Sequence, residues 1–122
     1  MKLNNDFSEY VKSVFWTIRP YCWKCGSNQN CSIHHIFGRV SSSIYNGILL
    51  CDKHHRIADN FNKDNGQKGE KVRLDLMIIT FSFLFKDPFW QDYLDRKDRK
   101  SNQIFIVEKK DYITKIRDKL YT

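Results

Sequence analysis

Two short pairs of cysteine and histidine residues have the spacing of ligands to one metal ion. Two residues separate the members of each pair, Cys22 with Cys25 and Cys51 with His54. Zinc takes four such ligands in a tetrahedron, often delivered as two pairs. The segment between the pairs is long enough for a β-hairpin. The sequence therefore predicts a structural zinc site held by these four residues.

Cys31 is the remaining cysteine, and it fits neither pair. It could take the place of His54 in a four-cysteine site, but we interpret it as a small buried residue. Four cysteines could also form two disulfides in a secreted protein. The N-terminus lacks the apolar run of a signal peptide, so we expect an intracellular protein whose thiols stay reduced. Metal ligation is therefore the better interpretation.

Further polar residues in the same stretch have side chains suited to phosphodiester hydrolysis: His34, His35, Asn46, His55 and Asp59. That reaction needs an activated water, a cation on the scissile phosphate and a stabilised leaving group. A neutral histidine has a suitable pKa for accepting a proton from water near neutral pH. His55 and Asp59 would share one face of a helix and could hold one cation. Arg39, Lys53 and Arg56 could bind phosphates.

Each of these residues also has an ordinary interpretation when it is taken alone. Asn46 is followed by glycine, a pair that most often forms a turn. Asp59, near a helix end, is either a ligand or a solvated carboxylate. His34 and His35 are adjacent, and adjacent residues of a regular strand point to opposite faces. They can serve one site only if the strand ends or bulges there, which the nearby Gly38 permits.

Taken together and in this order, the residues resemble the HNH endonucleases of the ββα-metal superfamily. The likeness is greatest to the zinc-stapled members found among phage recombination and junction-resolving nucleases, and it covers residues 21–59. His54 stands where a fourth cysteine is usual, which is a conservative change for zinc. The resemblance implies that His35 is the general base on the attacking water. It also implies that Asn46 braces the loop and orients this base.

A second metal site follows from the same resemblance. His34 and His55 match ligands of a catalytic divalent cation, Mg2+ or Mn2+, and Asp59 lies where some members place another ligand. The function implied is metal-dependent hydrolysis of DNA, in the cytoplasm of a bacterium or a phage-infected host.

The charge of the chain agrees with a polyanionic partner. The formal net charge is +7 and the pI is about 9.3, although many soluble proteins are moderately basic. We expect DNA as the partner, and a second copy of the chain or other recombination or packaging proteins as further candidates. The basic run at 96–100 would bind phosphate or lie as a solvated surface. No stretch approaches the roughly 20 apolar residues of a membrane span, so we expect no membrane.

Other functions remain open at this point. A non-catalytic zinc module would bind nucleic acid without cleaving it. A phage accessory factor would use the apolar C-terminal half as a protein interface. A zinc enzyme with its catalytic metal at the paired cysteines is disfavoured, because four protein ligands leave no open position.

The elements that would position these residues follow from the periodicity of apolar side chains. We expect a single domain of the α+β class over residues 1–122, with a ββα-metal core motif at 21–59 and a helical extension at 70–122. In the first half the pattern predicts a helix at 6–18, capped by Asn5 or Asp6 and ended by Pro20. It then predicts strands at 31–37 and 48–50, a loop at 38–43 and a helix at 51–60.

In the second half, residues 60–69 have the composition of a surface loop. Residues 70–86 favour a helix, although their alternation also fits strands. Asp87 and Pro88 predict the start of a helix that ends near residue 99. The remaining segments are a β-prone stretch at 103–107 and a helix at 108–120.

Overall fold

The computed structural model of the protein describes residues 6–120, except for the side chains of Gln91 and Leu120. It has the predicted α+β class, mostly helical with one two-stranded antiparallel sheet. One hydrophobic core joins the sheet to the helices that surround it. In chain order the elements are α1 (Glu9–Ile18), β1 (Ser32–His35), a 3-10 turn (Ile44–Asn46), β2 (Gly47–Leu50), α2 (Asp52–Asp59), α3 (Gln67–Phe85), α4 (Pro88–Glu108) and α5 (Lys110–Leu120).

The first helix, α1, starts later than the sequence predicts. Ser8, rather than Asp6, caps it, because the Ser8 side-chain oxygen accepts a hydrogen bond from the backbone N–H of Val11 at 3.4 Å. This bond satisfies one of the donors that the first turn of a helix leaves unpaired. Asn5, the other predicted cap, lies outside the described residues. The helix ends shortly before Pro20, whose ring is incompatible with a helix interior.

The first strand, β1, is shorter than the strand predicted at 31–37. It pairs with β2 in an antiparallel register that sets His35 opposite Gly47. Beyond His35 the backbone N–H of Phe37 donates to the side chain of Asn46, at 3.0 Å, rather than to a neighbouring strand. The chain therefore leaves the sheet at His35, and this strand end decides where the two adjacent histidines lie.

Gly47 allows α1 to pack directly against the sheet. A Cβ atom at this position would come within 2.3 Å of Phe15 Cζ and 2.7 Å of Phe7 Cζ. Both rings are buried, and they contact each other edge to face. The missing side chain at Gly47 therefore sets the distance between α1 and the strand pair.

Residues 70–85 form a helix rather than strands, as part of α3, which begins at Gln67 within the predicted loop at 60–69. A helix satisfies its own backbone hydrogen bonds, whereas strands here would need further sheet partners. One face of α3 is buried, with Leu76 and Phe81 in the core. The buried hydroxyl of Thr80 donates to the carbonyl of Gly47 at 2.7 Å. The C-terminal half is thus packed against the strand pair.

The fourth helix, α4, begins as predicted and runs further than predicted. Asp87 caps it by accepting a hydrogen bond from the backbone N–H of Phe89 at 3.0 Å, and Pro88 is its first residue. A kink at Asp98, with φ −142° and ψ 36°, interrupts the helix without ending it. The helical chain continues past the predicted end at residue 99.

The prediction of a β-prone stretch at 103–107 is wrong, because these residues belong to α4. Phe105 is fully buried, and its ring contacts that of Phe37 with 5.9 Å between centroids. In the same part of α4, Asn102 accepts a hydrogen bond from the Ser43 hydroxyl at 2.6 Å. These tertiary contacts, made on one helical face, outweigh a weak local preference for strand.

The last helix, α5, confirms most of the helix predicted at 108–120, but it begins at Lys110 because Glu108 still belongs to α4. Ile116 on this helix is buried in the common core. None of the helices within residues 6–120 combines the length and the apolar composition that crossing a membrane requires.

Gly47→Ala should lower the free energy of unfolding by about 1–3 kcal/mol, because its methyl group would overlap two buried rings. Gly66→Ala is the matched control, since a Cβ there meets nothing nearer than 3.4 Å and its φ of −76° suits alanine. We expect that variant to differ from wild type by less than about 1 kcal/mol. Urea unfolding measures both, and equal stability of Gly47→Ala and wild type would contradict this packing.

Candidate metal centres

The structure brings the predicted zinc ligands together, with the ligand atoms of Cys22, Cys25, Cys51 and His54 all within 4.8 Å of one another. The sulfur atoms of Cys25 and Cys51 are 3.8 Å apart. His54 Nδ1 lies 3.3 Å from Cys51 Sγ and 3.8 Å from Cys22 Sγ. Zinc bonds of about 2.3 Å to sulfur and 2.0 Å to nitrogen give tetrahedral edges of about 3.5–3.8 Å. The cluster could therefore hold a structural metal ion.

The chemistry of the sulfur atoms also fits a metal site better than a disulfide. The distance of 3.8 Å between Cys25 Sγ and Cys51 Sγ is far beyond a bonded S–S length of about 2.05 Å, and both thiols are free. Burial raises the pKa of the Cys22 thiol, but backbone N–H groups of Cys51, Cys25 and Lys24 outweigh burial and lower the pKa to about 6. A thiol with such a pKa is readily available as the thiolate that binds metal.

The local backbone presents both members of each pair to the same point. Gly26 takes a φ of +81°, which glycine adopts without strain, and donates its N–H to Cys22 O at 2.8 Å to close a tight turn. A backbone hydrogen bond of 2.8 Å from Trp23 to a carbonyl of β2 ties this turn to the sheet. In the second pair, Cys51 is the N-cap residue of α2, and His54 lies in the first turn.

Cys31 does not belong to the cluster. It is half-buried rather than fully buried, and its thiol donates to the carbonyl of Ser27 at 3.2 Å. The alternative in which Cys31 replaces His54 has no support in the geometry, because His54 holds the fourth position.

A second cluster consists of the three predicted ligands of the catalytic cation, His34, His55 and Asp59. Their ligand atoms also lie within 4.8 Å of one another. Asp59 Oδ1 lies 3.1 Å from His34 Nδ1 and 3.6 Å from His55 Nε2. Adjacent ligands of an octahedral cation with bonds of about 2.1 Å are about 3.0 Å apart. The donor set therefore fits neighbouring positions around one cation and leaves the remaining positions for water or phosphate.

His34 is held in its neutral form. Only 1% of its side chain is exposed. Burial lowers the pKa of His34 to about 4, with a further contribution from the nearby His55, and Asp59 only partly opposes the shift. The imidazole is therefore uncharged near neutral pH and keeps a lone pair for a cation.

Ser32 is a contact of this second cluster that the sequence analysis missed. Its hydroxyl oxygen lies 2.5 Å from His55 Nδ1. Ser32 and His34 stand at alternate positions of β1, so both point toward α2. With Nδ1 engaged by Ser32, His55 Nε2 is left to face Asp59, and partners of this kind orient ligand imidazoles. The period-two alternation of the strand is the signal that could have found Ser32.

His35 lines the same cleft as His34 although it is the next residue. Both can do so because β1 ends at His35, where the strict alternation of the strand ends too. The His35 ring stacks on that of Phe7, with 4.3 Å between centroids and 13° between planes. His35 Nε2 lies 3.9 Å from Asp6 Oδ1. Phe7 and Asp6 precede α1, so no short-range pattern could have assigned them to this site.

Asn46 is fully buried and braces the loop that follows His35. Its Oδ1 accepts a hydrogen bond from Phe37 N at 3.0 Å. Its Nδ2 donates to the carbonyls of Gly38 and Ser41 at 3.1 and 3.0 Å. Through these three bonds the side chain fixes the path of the backbone on which His35 is anchored.

The cleft beside the second cluster has a volume of about 430 Å³, and only one of the three predicted phosphate-binding residues lines it. That residue is Arg39, which is largely exposed and has its Nη1 3.7 Å from Asp6 Oδ1. Lys53 and Arg56 lie exposed on α2 outside the lining. Arg56 pairs there with Asp52, 3.4 Å away.

No family model matches this chain, and no curated protein or solved structure matches it either. The chemistry proposed below rests on the ligand sets and distances of the two centres.

The purified protein should carry about one tightly held zinc ion per chain, and Cys22→Ser and Cys51→Ser should lose it together with much of their stability, because zinc binding and folding are coupled. Cys31→Ser is the matched control: its side chain lies outside the cluster, so zinc content should stay unchanged. Elemental analysis and thermal unfolding measure the two effects. Folded wild-type protein without any metal would exclude the site.

Proposed function

We propose that this protein is a metal-dependent HNH-type endonuclease of the ββα-metal superfamily that hydrolyses phosphodiester bonds of DNA. One observation carries the proposal. His34, His55 and Asp59 converge on a cleft whose wall also holds His35, and this cleft is separate from the cluster of three cysteines and a histidine. A single chain thus offers one set of four ligands for a tetrahedral site and a second set of three ligands beside the His35 imidazole.

The two ligand sets suit different tasks. Four protein ligands fill a tetrahedral zinc site, so the cysteine-rich cluster is assigned a structural role. Three nitrogen and oxygen ligands leave open positions, as a catalytic Mg2+ or Mn2+ requires. A cation held there would stabilise the charge that develops on the scissile phosphate. Arg39, on the wall of the same cleft, would bind a neighbouring phosphate.

His35 is assigned the role of general base. Its side chain lines the cleft and is 11% exposed, with the Nε2 atom itself buried. The stack on Phe7 fixes the plane of the ring. The Asp6 carboxylate, 3.9 Å from Nε2, favours the imidazolium that forms when His35 takes a proton from the attacking water. Asn46 keeps the base in place through the loop that follows it.

The rival function is a non-catalytic zinc-stabilised module that binds nucleic acid or serves as a phage accessory factor. It accounts for the cysteine-rich cluster and the basic charge. It assigns no task to the three side chains that converge at the cleft, or to the base beside them. It predicts binding without cleavage, so a cleavage assay separates the two functions.

Supercoiled plasmid should be nicked or linearised when Mg2+ or Mn2+ is added, and His35→Ala should lower the rate by on the order of 10²- to 10⁴-fold, the usual cost of losing a general base. Zinc content and DNA affinity of this variant should match those of wild type. Cleavage by His35→Ala at the wild-type rate would refute its role as base. A wild-type protein that binds plasmid and never cuts it would favour the rival module.

Asp59→Asn should raise the Mn2+ concentration needed for half-maximal cleavage by on the order of 10-fold or more, because it weakens one ligand of the cation. Asp52→Asn is the matched control on the same helix, since that carboxylate pairs with Arg56 outside the cleft. His34→Ala and His55→Ala should shift the titration in the same direction as Asp59→Asn. Superimposable titrations of Asp59→Asn and wild type would remove Asp59 from the ligand set.

A further inference from the structure

A second groove, of about 400 Å³, adjoins the cleft and shares two of its lining residues, Asn62 and Lys63. We propose that the substrate strand continues from the cation site into this groove, where Lys63 and Lys109 bind its phosphates. This inference rests on the proposed function, and it goes further by assigning the path of the DNA to a surface that sequence patterns did not indicate.

A buried arginine fixes the backbone on both sides of Asn62 and Lys63. Arg73 is a buried charge on α3, 5% exposed, and its Nη1 donates to Phe61 O at 2.7 Å and to Asp64 O at 2.6 Å. These two carbonyls flank Asn62 and Lys63 in the chain. A guanidinium that bridges them fixes the backbone of the short loop between α2 and α3, so the main chain that carries Asn62 and Lys63 is positioned before any substrate arrives.

The same guanidinium is anchored on its other side by α5. Its Nε and Nη2 donate to the hydroxyl of Tyr112 at 3.3 and 3.2 Å, and its charge lies 5.5 Å from the centroid of the Phe37 ring. Arg73 is therefore a structural cation whose hydrogen-bonding capacity is used within the protein. Phosphate binding falls to the more exposed lysines around it.

Lys63 lies over the loop that follows His35. Its Cε atom is 3.1 Å from the point where a Cβ of residue 38 would be, so Gly38 leaves room for the lysine stem. Lys63 is exposed, and it lines both the cleft and the second groove. Lys63 therefore stands where a strand leaving the cation site would have to pass.

Lys109 also lines the groove, at the junction of α4 and α5. Its Nζ atom lies 4.1 Å from the centroid of the Phe37 ring, which orients the ammonium group. Within residues 6–120 neither Lys63 nor Lys109 forms an ion pair with a carboxylate. Glu70 also lines the groove, so three cationic side chains face one anionic side chain there. The local charge favours a polyanion.

The basic run at 96–100 is the competing surface for phosphate. Its four basic residues are exposed on α4. Arg96 already pairs with Asp92 at 3.1 Å, and Asp98 interrupts the run at the kink. The groove is the better candidate for phosphate binding, because it shares Asn62 and Lys63 with the cleft that holds the cation site.

The test measures how salt affects DNA binding in a His35→Ala background, which should bind without cutting. The probe is a fluorescein-labelled 30-base-pair duplex, and the readout is the slope of log K against log salt concentration. Replacing Lys63 and Lys109 by glutamine should weaken binding and flatten the slope by up to roughly two units, since each phosphate contact contributes about 0.9. In the active protein the same pair should raise KM and leave kcat unchanged.

Two matched variants decide the outcome. Lys115→Gln with Lys119→Gln removes the same charge from the exposed surface of α5, and the slope should stay at its wild-type value. If this control flattens the slope as much as the groove variant does, the effect is net charge alone and the proposal is overturned. The proposal also falls if the groove variant keeps the slope while glutamine at the four basic positions of 96–100 flattens it.

Failure of the proposed function is distinguishable from failure of this inference. A protein that neither binds nor cleaves DNA at low salt contradicts the nuclease itself, and the groove proposal with it. A protein that cleaves DNA and keeps its full salt slope without Lys63 and Lys109 contradicts only the groove.

Discussion

The structure depends first on the hydrogen bonds of one buried asparagine. Asn46 accepts from Phe37 and donates to the carbonyls of Gly38 and Ser41, while its own carbonyl accepts from Ile36. These bonds end β1 and fold the chain back toward β2. A buried loop without them would leave several backbone groups unpaired, at a cost of about 1–3 kcal/mol each. His34 and His35 take their positions in the cleft from this turn.

One turn of α2 connects the two candidate centres. His54 directs its Nδ1 to the sulfur cluster, and the next residue, His55, directs its Nε2 to Asp59 at the cleft. Consecutive residues of a helix are about 100° apart around its axis, so one short helix can serve two sites on different sides. A metal ion at the cysteine-rich cluster would hold the start of α2 at Cys51 and thereby place His55.

Side chains of the C-terminal helices hydrogen-bond to the loops and the strand that surround the site. Thr80 of α3 bonds to the carbonyl of Gly47, and Asn102 of α4 bonds to Ser43 at the end of the braced loop. Arg73 fixes the loop after α2 through two backbone carbonyls. Each of these buried hydrogen bonds requires one particular donor and one particular acceptor. They therefore favour a single arrangement of the helices around the strand pair, which apolar contacts alone would specify less strictly.

The sequence by itself determined the features that depend on short separations along the chain. The pairs Cys22–Cys25 and Cys51–His54 follow from their spacing, and so does the shared face of His55 and Asp59, because turns and helices have fixed local geometry.

Only the tertiary structure decided the contacts between distant segments. Phe7 stacks on His35, and Lys63 lies over Gly38, although local periodicity groups neither of these pairs. The helical state of residues 103–107 also depended on a distant partner, the Phe37 ring that packs on Phe105. Local preference is weak where burial against a distant element contributes more free energy.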